Sequence, residues 1–246
     1  MPAGRNRMYD EFAHLWTLIS APEEYAEEAS HWREALRAKL GPGRHEILEL
    51  GVGGGNNLSH LTRDFQATAV DISPKMLENS TRLNPGVEHH VGDMRSVRLG
   101  RSFDAVLIHD AVAYMLTEAD LEATFNTARA HLRTGGVFVT APDWFSETFT
   151  GTTVSHATRS DGDTELTYVE YDYDPDPSDT TIETVFLYFI RQRGGLRIEE
   201  DRHTTGLFPI ATWVGLMEKV GFDVEKLPYP VHDDGHDAYL LAGTVP

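Results

Sequence analysis

Apolar residues recur every three or four positions in residues 22–40, a spacing that predicts an amphipathic helix. The apolar stripe of this helix would consist of Tyr25, Ala29, Trp32, Leu36 and Leu40. Pro22 suits the first turn, where the N–H that proline lacks would have no helical partner. The run Gly41-Pro42-Gly43 is expected to end the helix.

Between residues 47 and 140, short apolar runs alternate with amphipathic segments. The apolar runs predict strands at Ile47–Leu50, Ala67–Ile72, Val87–Val91, Ala105–His109 and Val137–Thr140. The segments between them predict helices at Asn57–Phe65, Pro74–Arg82 and Thr117–Leu132. Alternating strands and helices are typical of a parallel sheet covered on both faces.

The pattern changes after Pro142. Thr164–Tyr173 and Thr181–Gln192 alternate polar with β-branched or aromatic residues, which predicts an antiparallel ribbon. A helix at Ile210–Val220 then precedes strands at Asp223–Leu227 and Ala238–Thr244. These last strands would close the sheet as an antiparallel pair.

Composition excludes several classes of function. The chain has 246 residues, is 40% hydrophobic and carries a net charge of −18, which would repel a nucleic-acid backbone. It contains no cysteine, and therefore no disulfide and no thiolate metal site. No apolar run is long enough to cross a bilayer. Charged residues interrupt every apolar stretch in residues 1–20, so we expect no signal-peptide core there. We therefore expect a cytoplasmic protein that binds neither nucleic acid nor membrane.

A glycine-rich turn is the first candidate binding site. The run Glu49-Leu50-Gly51-Val52-Gly53-Gly54-Gly55-Asn56 follows the first β-strand of the sheet and opens the next helix. Glycine lets the backbone approach a ligand closely, and the free amides at a helix start suit an anionic group. Asp71 follows twenty residues after Gly51, at a strand end where a carboxylate can accept both ribose hydroxyls. The two features indicate a cofactor that contains adenosine.

The spacing of the glycines distinguishes two such cofactors. A dinucleotide site requires Gly or Ala three residues after its second glycine, where this chain has Asn56. The acidic-x-Gly51-x-Gly53-x-Gly55 pattern instead resembles the first motif of class I S-adenosylmethionine (SAM)-dependent methyltransferases. Two alternatives stay open: a nicotinamide-dependent oxidoreductase of Rossmann type, which Asn56 disfavours, and a non-catalytic methyltransferase-like interaction module.

The resemblance covers nearly all of residues 40–142 and the final antiparallel pair. Gly92-Asp93-Met94 looks like the family's adenine site, and Phe103-Asp104-Ala105-Val106 leads to His109-Asp110 beside the transfer centre. The resemblance implies SAM as cofactor and S-adenosylhomocysteine as its product. The cofactor residues that we predict are Tyr9, Tyr25, Glu49, Gly51, Gly53, Gly55, Asn56, Asp71, Ile72, Met76, Asp93, Met94 and His109.

The ends of the chain narrow the resemblance. Met8-Tyr9-Asp10, Pro22-Glu23-Glu24-Tyr25, the run from His90 to Arg95 and Asp143-Trp144-Phe145 are similar to bacterial methyltransferases that dimethylate the amine of nucleotide-linked aminosugars. Those enzymes carry a β ribbon after strand five and a mobile N-terminal segment over the cofactor. The resemblance implies that Tyr9 and Tyr25 close over the methionine part of SAM.

The predicted fold is therefore α/β, a Rossmann-like class I methyltransferase sheet with an inserted antiparallel β ribbon after strand five. The sheet would be mostly parallel, with an antiparallel strand at its C-terminal end. We expect one methyltransferase domain over residues 1–246, comprising an N-terminal helical cap (1–40), a SAM-binding core (41–142), an inserted β ribbon and substrate region (143–205), and a C-terminal helix with closing strands (206–246). Pairing of the exposed ribbon across a homodimer axis is a further hypothesis.

His109, Asp110 and His203 are the candidates for acid–base chemistry. Methyl transfer from a sulfonium is an in-line displacement, so much of the catalysis lies in holding a small-molecule acceptor close and aligned. An amine acceptor needs only to lose a proton, whereas a hydroxyl acceptor would benefit from a positioned base. His109 and Asp110 follow a strand, where they could instead line the cofactor, and His203 is placed in a loop, where it could instead face solvent.

Two further patterns have competing interpretations. Residues 160–185 hold nine acidic residues and no basic ones, which would either attract cationic amines or mark a solvated edge that resists pairing. His232 and His236 lie four apart beside aspartates, but the composition around them is that of a turn. We therefore predict no metal site.

Overall fold

A computed structural model describes residues 6–230 and 238–246. Over these residues the strands are β1 (Glu46–Leu50), β2 (Gln66–Asp71), β3 (Glu88–Val91), β4 (Phe103–Ile108), β5 (Leu132–Thr140), β6 (Thr153–Asp161), β7 (Thr164–Tyr173), β8 (Thr181–Gln192), β9 (Gly195–Gly206), β10 (Asp223–Pro228) and β11 (Tyr239–Thr244). The α-helices are α1 (Trp16–Ile19), α2 (Ala26–Leu40), α3 (Asn56–Ser59), α4 (Pro74–Leu83), α5 (Glu118–Ala130) and α6 (Ile210–Val220). Short 3-10 helices occupy Arg7–Tyr9, Ala13–Leu15, Pro22–Tyr25 and Asp110–Tyr114. No helix in the described ranges is long and apolar enough to span a membrane.

Seven strands form the main sheet in the order β10-β11-β5-β4-β1-β2-β3. The pairs β1–β2, β2–β3, β1–β4 and β4–β5 are parallel, whereas β11 is antiparallel to both β5 and β10. The predicted mostly parallel α/β sheet with an antiparallel closing pair is confirmed. The strand order reverses at β1 and β4, whose carboxyl ends flank the crevice where open α/β sheets bind ligands.

Helices cover both faces of the main sheet. Phe125 of α5 and Trp213 of α6 pack on one face, and Trp32 and Leu36 of α2 pack on the other. These four side chains are fully buried, and each contributes roughly 2–3 kcal/mol of hydrophobic stabilisation. The two helical layers thereby fix the strand ends that surround the crevice.

The helix predicted at Asn57–Phe65 is a single turn, α3, followed by irregular turns. The Ser59 hydroxyl donates to the Asn56 carbonyl at 2.6 Å, and the Thr62 hydroxyl donates to the Ser59 carbonyl at 3.1 Å. Such bonds compete with the regular helical pattern. Phe65 is buried all the same, so the apolar spacing in this segment reflects the packing of turns.

The predicted antiparallel ribbon after β5 is present and is larger than expected. Four strands, β6 to β9, form a second sheet in chain order, and β7 and β8 have the predicted bounds. The strands β6 and β9 were not predicted, because neither has a clear apolar alternation. In β9, Leu196 and Ile198 are exposed and charged residues lie on both faces.

The N-terminal segment packs against this second sheet. Met8, Phe12 and Leu15 form a separate apolar cluster with Phe186 and Tyr188 of β8. The Arg159 guanidinium of β6 donates to the carbonyls of Leu18 at 3.0 Å and Ile19 at 2.6 Å. The Met8 amide donates to the Asp201 carboxylate of β9 at 2.7 Å. The segment is therefore fixed to the second sheet by both apolar and polar contacts.

Candidate active site

A cavity of about 670 Å³ lies at the carboxyl ends of β1, β2 and β4. The main sheet contributes Glu49, Asp71 and His109, the N-terminal segment contributes Tyr9, and the second sheet contributes Glu170 to its wall. The volume is within the range of small-molecule and cofactor sites. The cavity also lies at the strand-order reversal, where the sequence predicts the binding site.

The glycine-rich turn forms one edge of the cavity. A Cβ on Gly51 would lie 2.5 Å from the Ala111 Cβ and 2.7 Å from the Met94 Cε, and the φ of Gly51 is +75°. The predicted cofactor residues Gly53 and Asn56 also line the cavity. Gly55 is outside the wall: its backbone packs on α4, where a Cβ would meet the Ser80 and Asn84 side chains at 2.4 Å. Gly55 therefore lets the turn pack closely on its α4 side, away from the cavity.

Asp71 holds the glycine-rich turn while presenting its carboxylate to the cavity. It accepts hydrogen bonds from the Gly53 and Ser73 amides, both at 2.8 Å. Burial raises the pKa of the Asp71 carboxyl, and the two amides oppose that effect. Ile72 and Met76 line the adjacent wall. The geometry suits a ribose whose hydroxyls bind Asp71 and an attached ring that packs against Ile72 and Met76.

Several buried polar atoms at the cavity have no hydrogen-bond partner among the described residues. They are the Glu49 Oε2, the Trp16 Nε1 and both amide atoms of Asn57. Burial raises the pKa of the Glu49 carboxyl to about 8. Buried polar groups are rarely left unpaired, so these atoms are suited to a ligand that has both cationic and anionic groups. The amino-acid part of the predicted cofactor has that chemistry, and the residues present fit it.

Asp93 and Met94 line the cavity where the adenine site is predicted. Arg95 binds both oxygens of Asp93, with a closest contact of 2.6 Å, and reaches Asp120 at 2.9 Å. The Arg95 guanidinium lowers the pKa of the Asp93 carboxyl. Asp93 is therefore an ionised acceptor in a fixed orientation.

His109 is buried between two carboxylates. Its Nδ1 lies 2.9 Å from Asp110, and its Nε2 lies 2.9 Å from Glu28. Burial alone would lower the pKa of the His109 ring, but the two carboxylates raise it well above 6.5. His109 is thus an imidazolium whose two nitrogens are both occupied. Tyr25 lines the wall beside it, with its hydroxyl 2.8 Å from the Ser20 hydroxyl.

A cluster of four carboxyl groups forms the end of the cavity below the second sheet: Asp110, Asp143, Glu170 and Asp172. Asp143 is open to the cavity but surrounded by protein, and burial together with Asp110 raises the pKa of its carboxyl well above 3.8. Burial and the neighbouring Asp172 raise the pKa of Glu170 to about 7. Within the described cavity wall there is no lysine, and the one arginine, Arg95, is already paired. A cationic group bound here would restore the ionised form of both raised carboxyls.

A hydrogen-bonded chain runs from the cavity wall into the second sheet. The Tyr9 and Tyr114 hydroxyls are 2.9 Å apart, and the Tyr114 hydroxyl is 2.6 Å from the His203 Nδ1. The His203 Nε2 is 3.0 Å from Asp201. The predicted loop around His203 is wrong: His203 lies in β9 and is 2% exposed, because Asp201 and Tyr114 satisfy both ring nitrogens.

Sequence reasoning missed several of these residues, including Trp16, Glu28, Asn57, Tyr114, Asp143 and Asp201. One signal was available, since Glu170 and Asp172, like Asp201 and His203, are two apart and therefore share one face of a strand. Among the described residues no group of three or more His, Asp or Glu side chains is arranged to hold a metal. His232 and His236 lie outside the described residues.

Comparisons with known proteins identify relatives of this chain. A family model described as a methyltransferase domain matches residues 47–136. The dTDP-3-amino-3,4,6-trideoxy-alpha-D-glucopyranose N,N-dimethyltransferase of Streptomyces venezuelae is 33% identical over 208 residues, which cover 83% of this chain and 86% of that relative.

Solved structures show the same fold. The crystal structure of Streptomyces venezuelae DesVI has a TM-score of 0.81 and 27% identity, covering 96% of this chain and 98% of that chain. SAM-bound CalS10, an amino pentose methyltransferase from Micromonospora echinaspora, has a TM-score of 0.78 and 24% identity, covering 90% and 92%. The likeness to CalS10 shows a shared fold.

Proposed function

We propose an acceptor for this chain, which belongs to the SAM-dependent methyltransferase family: the primary amine of a nucleotide-linked aminosugar, converted to a dimethylamine. Family membership makes SAM the cofactor and methyl transfer to a small molecule the reaction. The nitrogen acceptor is supported by one observation above all, the four carboxyl groups at the end of the cavity. A carboxylate can accept a hydrogen bond from a hydroxyl, but a cationic ammonium gains charge attraction from all four groups as well.

The cofactor roles that we propose follow the geometry of the wall. Asp71 accepts the ribose hydroxyls, and Asp93 with Met94 holds the adenine. The Glu49 carboxylate pairs with the ammonium of the methionine part, and Trp16 and Asn57 donate to its carboxylate. Tyr9 and Tyr25 close the cavity over this part.

Catalysis rests mainly on alignment. SAM supplies the methyl group on a sulfonium that reacts with a neutral amine, so the chain must hold the amine in line with it. We assign His109 a positioning role, since both of its nitrogens are occupied by carboxylates and neither can take a further proton. Asp110 is thereby fixed at the border of the acceptor region.

The nucleotide is placed at the mouth of the cavity in this proposal. A diphosphate carries negative charge and would meet Asp143 and Glu170 if it entered, with no unpaired arginine or lysine on the described wall to bind it. The sugar therefore enters with its amine first. The acidic run seen in the sequence contributes Glu170 and Asp172 to this selection.

The test is an assay by mass spectrometry with SAM and dTDP-3-amino-3,4,6-trideoxy-α-D-glucopyranose, the compound in the name of the Streptomyces venezuelae relative. We expect monomethyl and then dimethyl product, and none from the matching sugar with a hydroxyl in place of the amine. Asp143→Asn and Glu170→Gln should each raise the KM of the acceptor about tenfold, the effect of losing one charged hydrogen bond.

Glu165→Gln is the matched control for Glu170→Gln. Glu165 lies on the same strand as Glu170 but pairs with Arg191 away from the cavity. The acceptor KM of Glu165→Gln should therefore equal that of the wild type. Methylation of the hydroxyl sugar, or an unchanged KM in both cavity variants, would contradict the proposed amine acceptor.

A further inference from the structure

We propose that Tyr114 and His203 form a relay that removes the proton from the acceptor ammonium, an inference that rests on the proposed amine acceptor. An ammonium has no lone pair and cannot attack a methyl group, so each of the two methylations requires the loss of one proton. The relay consists of Tyr9, Tyr114, His203 and Asp201, with hydrogen-bonding distances at each step.

The direction of the hydrogen bonds in the relay follows from Asp201, its last member. Asp201 is buried and accepts hydrogen bonds from the Met8 amide and from His203. Burial alone would raise the pKa of the Asp201 carboxyl, but these donors lower it, so Asp201 is ionised and can only accept. The His203 Nε2 therefore carries the hydrogen, and Nδ1 offers a lone pair to the Tyr114 hydroxyl. The Tyr114 oxygen then accepts a hydrogen bond from the Tyr9 hydroxyl, 2.9 Å away, and keeps one further lone pair for a donor in the cavity.

Tyr114 lines the same cavity as Asp143 and Glu170, so in this proposal an ammonium held by the carboxyl groups meets the Tyr114 oxygen. Asp143 and Glu170 both act electrostatically on Tyr114, whose pKa is raised well above 10, first by burial and then by these carboxyls. Tyr114 therefore does not ionise: as its oxygen takes a proton, its own proton must pass to His203. An imidazolium on His203 would be stabilised by Asp201 at 3.0 Å.

Other elements around His203 contribute few charges. The Phe186 ring of β8 packs against the His203 ring at 4.8 Å between centroids. Among the described residues, the titratable groups around His203, Tyr114 and Asp201 are Tyr9, Tyr188, Asp143 and Glu170, and the Arg7 guanidinium acts on Tyr188. The Met8 and Arg7 amides also bond to Asp201. Of the described ionised groups, Asp201 is the one in hydrogen-bonding contact with the His203 ring.

The step balances without a further reactant. One N–H proton of the ammonium moves to the Tyr114 oxygen while the Tyr114 hydroxyl proton moves to the His203 Nδ1. The freed nitrogen lone pair forms the N–C bond, the C–S bond breaks, and its electron pair stays on sulfur in S-adenosylhomocysteine. The proton on His203 leaves to water when the cavity opens for product release, and the methylammonium product repeats the cycle with a second SAM.

The experiment compares kcat at saturating acceptor over a range of pH for the wild type, His203→Gln and Tyr114→Phe. Glutamine keeps a donor toward Asp201 but cannot take a proton. At about pH 6.5 each variant should lose about 100-fold or more in kcat, the usual contribution of general base catalysis. The loss should shrink toward about pH 9.5, where the amine is increasingly neutral in solution and needs no base.

The control is His131→Gln. His131 is as buried as His203 and is also bonded at both nitrogens, to the Thr127 carbonyl and the Leu99 amide, but lies outside the cavity. The kcat of His131→Gln, divided by that of the wild type, should not vary with pH. SAM affinity measured by calorimetry should be unchanged in His203→Gln. A kcat loss in His203→Gln that is constant over the pH range, or no loss at pH 6.5, would overturn the relay and leave Asp143, Glu170 or water as the proton acceptor.

A second measurement separates the relay from the identity of the acceptor. Nitrogen-15 NMR of the complex with S-adenosylhomocysteine reports which ring nitrogen of His203 carries the hydrogen, whatever the substrate. We expect the Nε2–H form, and its replacement by the Nδ1–H form in Asp201→Asn. A wild-type His203 in the Nδ1–H form would overturn the relay. Failure to methylate the aminosugar while the Nε2–H form is observed would instead refute the proposed acceptor.

Discussion

Glu49→Gln should stabilise the ligand-free protein while weakening its affinity for SAM. Glu49 is 2% exposed, and burial raises the pKa of its carboxyl to about 8 from an ordinary value of 4.5. Below pH 4.5 the folded and unfolded states both hold the proton. Between pH 4.5 and 8 only the folded state holds it, so the wild-type free energy of unfolding falls as the pH rises.

The magnitude follows from the pKa difference. One pKa unit corresponds to about 1.4 kcal/mol, so the ionisation that burial opposes costs the folded state about 3 kcal/mol at pH 7, about 4 kcal/mol at pH 8 and about 5 kcal/mol above about pH 9. Glutamine is neutral throughout and removes this cost. The same substitution removes the carboxylate that we assign to the SAM ammonium, so SAM affinity should fall although stability rises.

Urea unfolding at several pH values measures the effect, with calorimetric titration of SAM on the same variants. Glu46→Gln is the matched control, because Glu46 lies on the same strand but is half-buried, with 41% of its side chain exposed, and pairs with Arg133. The stability difference between Glu49→Gln and the wild type should be near zero at about pH 4 and grow up to pH 8. A difference that is independent of pH, or a Glu49→Gln protein less stable than the wild type at pH 8, would refute the reasoning.

Three further predictions follow from the cavity and its charge. Asp71→Asn should weaken SAM binding about tenfold or more in a calorimetric titration, because it removes a charged acceptor that also holds the Gly53 amide; unchanged affinity would contradict the ribose role. Gly55→Ala should lower the free energy of unfolding by about 2–4 kcal/mol, since its φ is +79° and the new Cβ meets Ser80, whereas Gly100→Ala, with positive φ but open space, should cost only about 1–2 kcal/mol. The KM of the nucleotide-linked acceptor should fall as the salt concentration is raised, because the net charge of −18 repels a diphosphate and salt screens that repulsion. A KM that rises with salt would argue against this repulsion.

The strands and helices that have a regular local pattern were predictable in both sheets. The bounds of β7, β8 and α6 match the predicted segments, since each has a regular apolar period. The strand β9 has none: its buried positions include Asp201 and His203, which are buried because they pair with each other. A polar pair of this kind cannot be distinguished from two surface residues until the neighbouring elements are known.

The cofactor side of the candidate site was likewise more predictable from the sequence than the acceptor end. Most of the cofactor wall comes from one continuous run of β–α units, so the spacing from Gly51 to Asp71 was informative, whereas Trp16 of the N-terminal segment was missed. The acceptor end is formed where β5, β7, β9 and the N-terminal segment meet, and Asp143, Glu170 and Tyr114 are far apart in the chain. Their proximity depends on the packing of the second sheet over the crevice, which no local spacing encodes.

The separate apolar cluster between the N-terminal segment and the second sheet has a consequence for protein engineering. Phe12 contacts Tyr188 ring to ring, and Arg159 binds the carbonyls of Leu18 and Ile19, so each part depends on the surface of the other. A chimera that imports only β6–β9 from a relative would leave the host's N-terminal segment without its complementary surface. Transplanting residues 6–25 together with the second sheet would keep this packing intact, but it would also exchange Tyr9, Trp16 and Tyr25 on the cofactor side of the cavity.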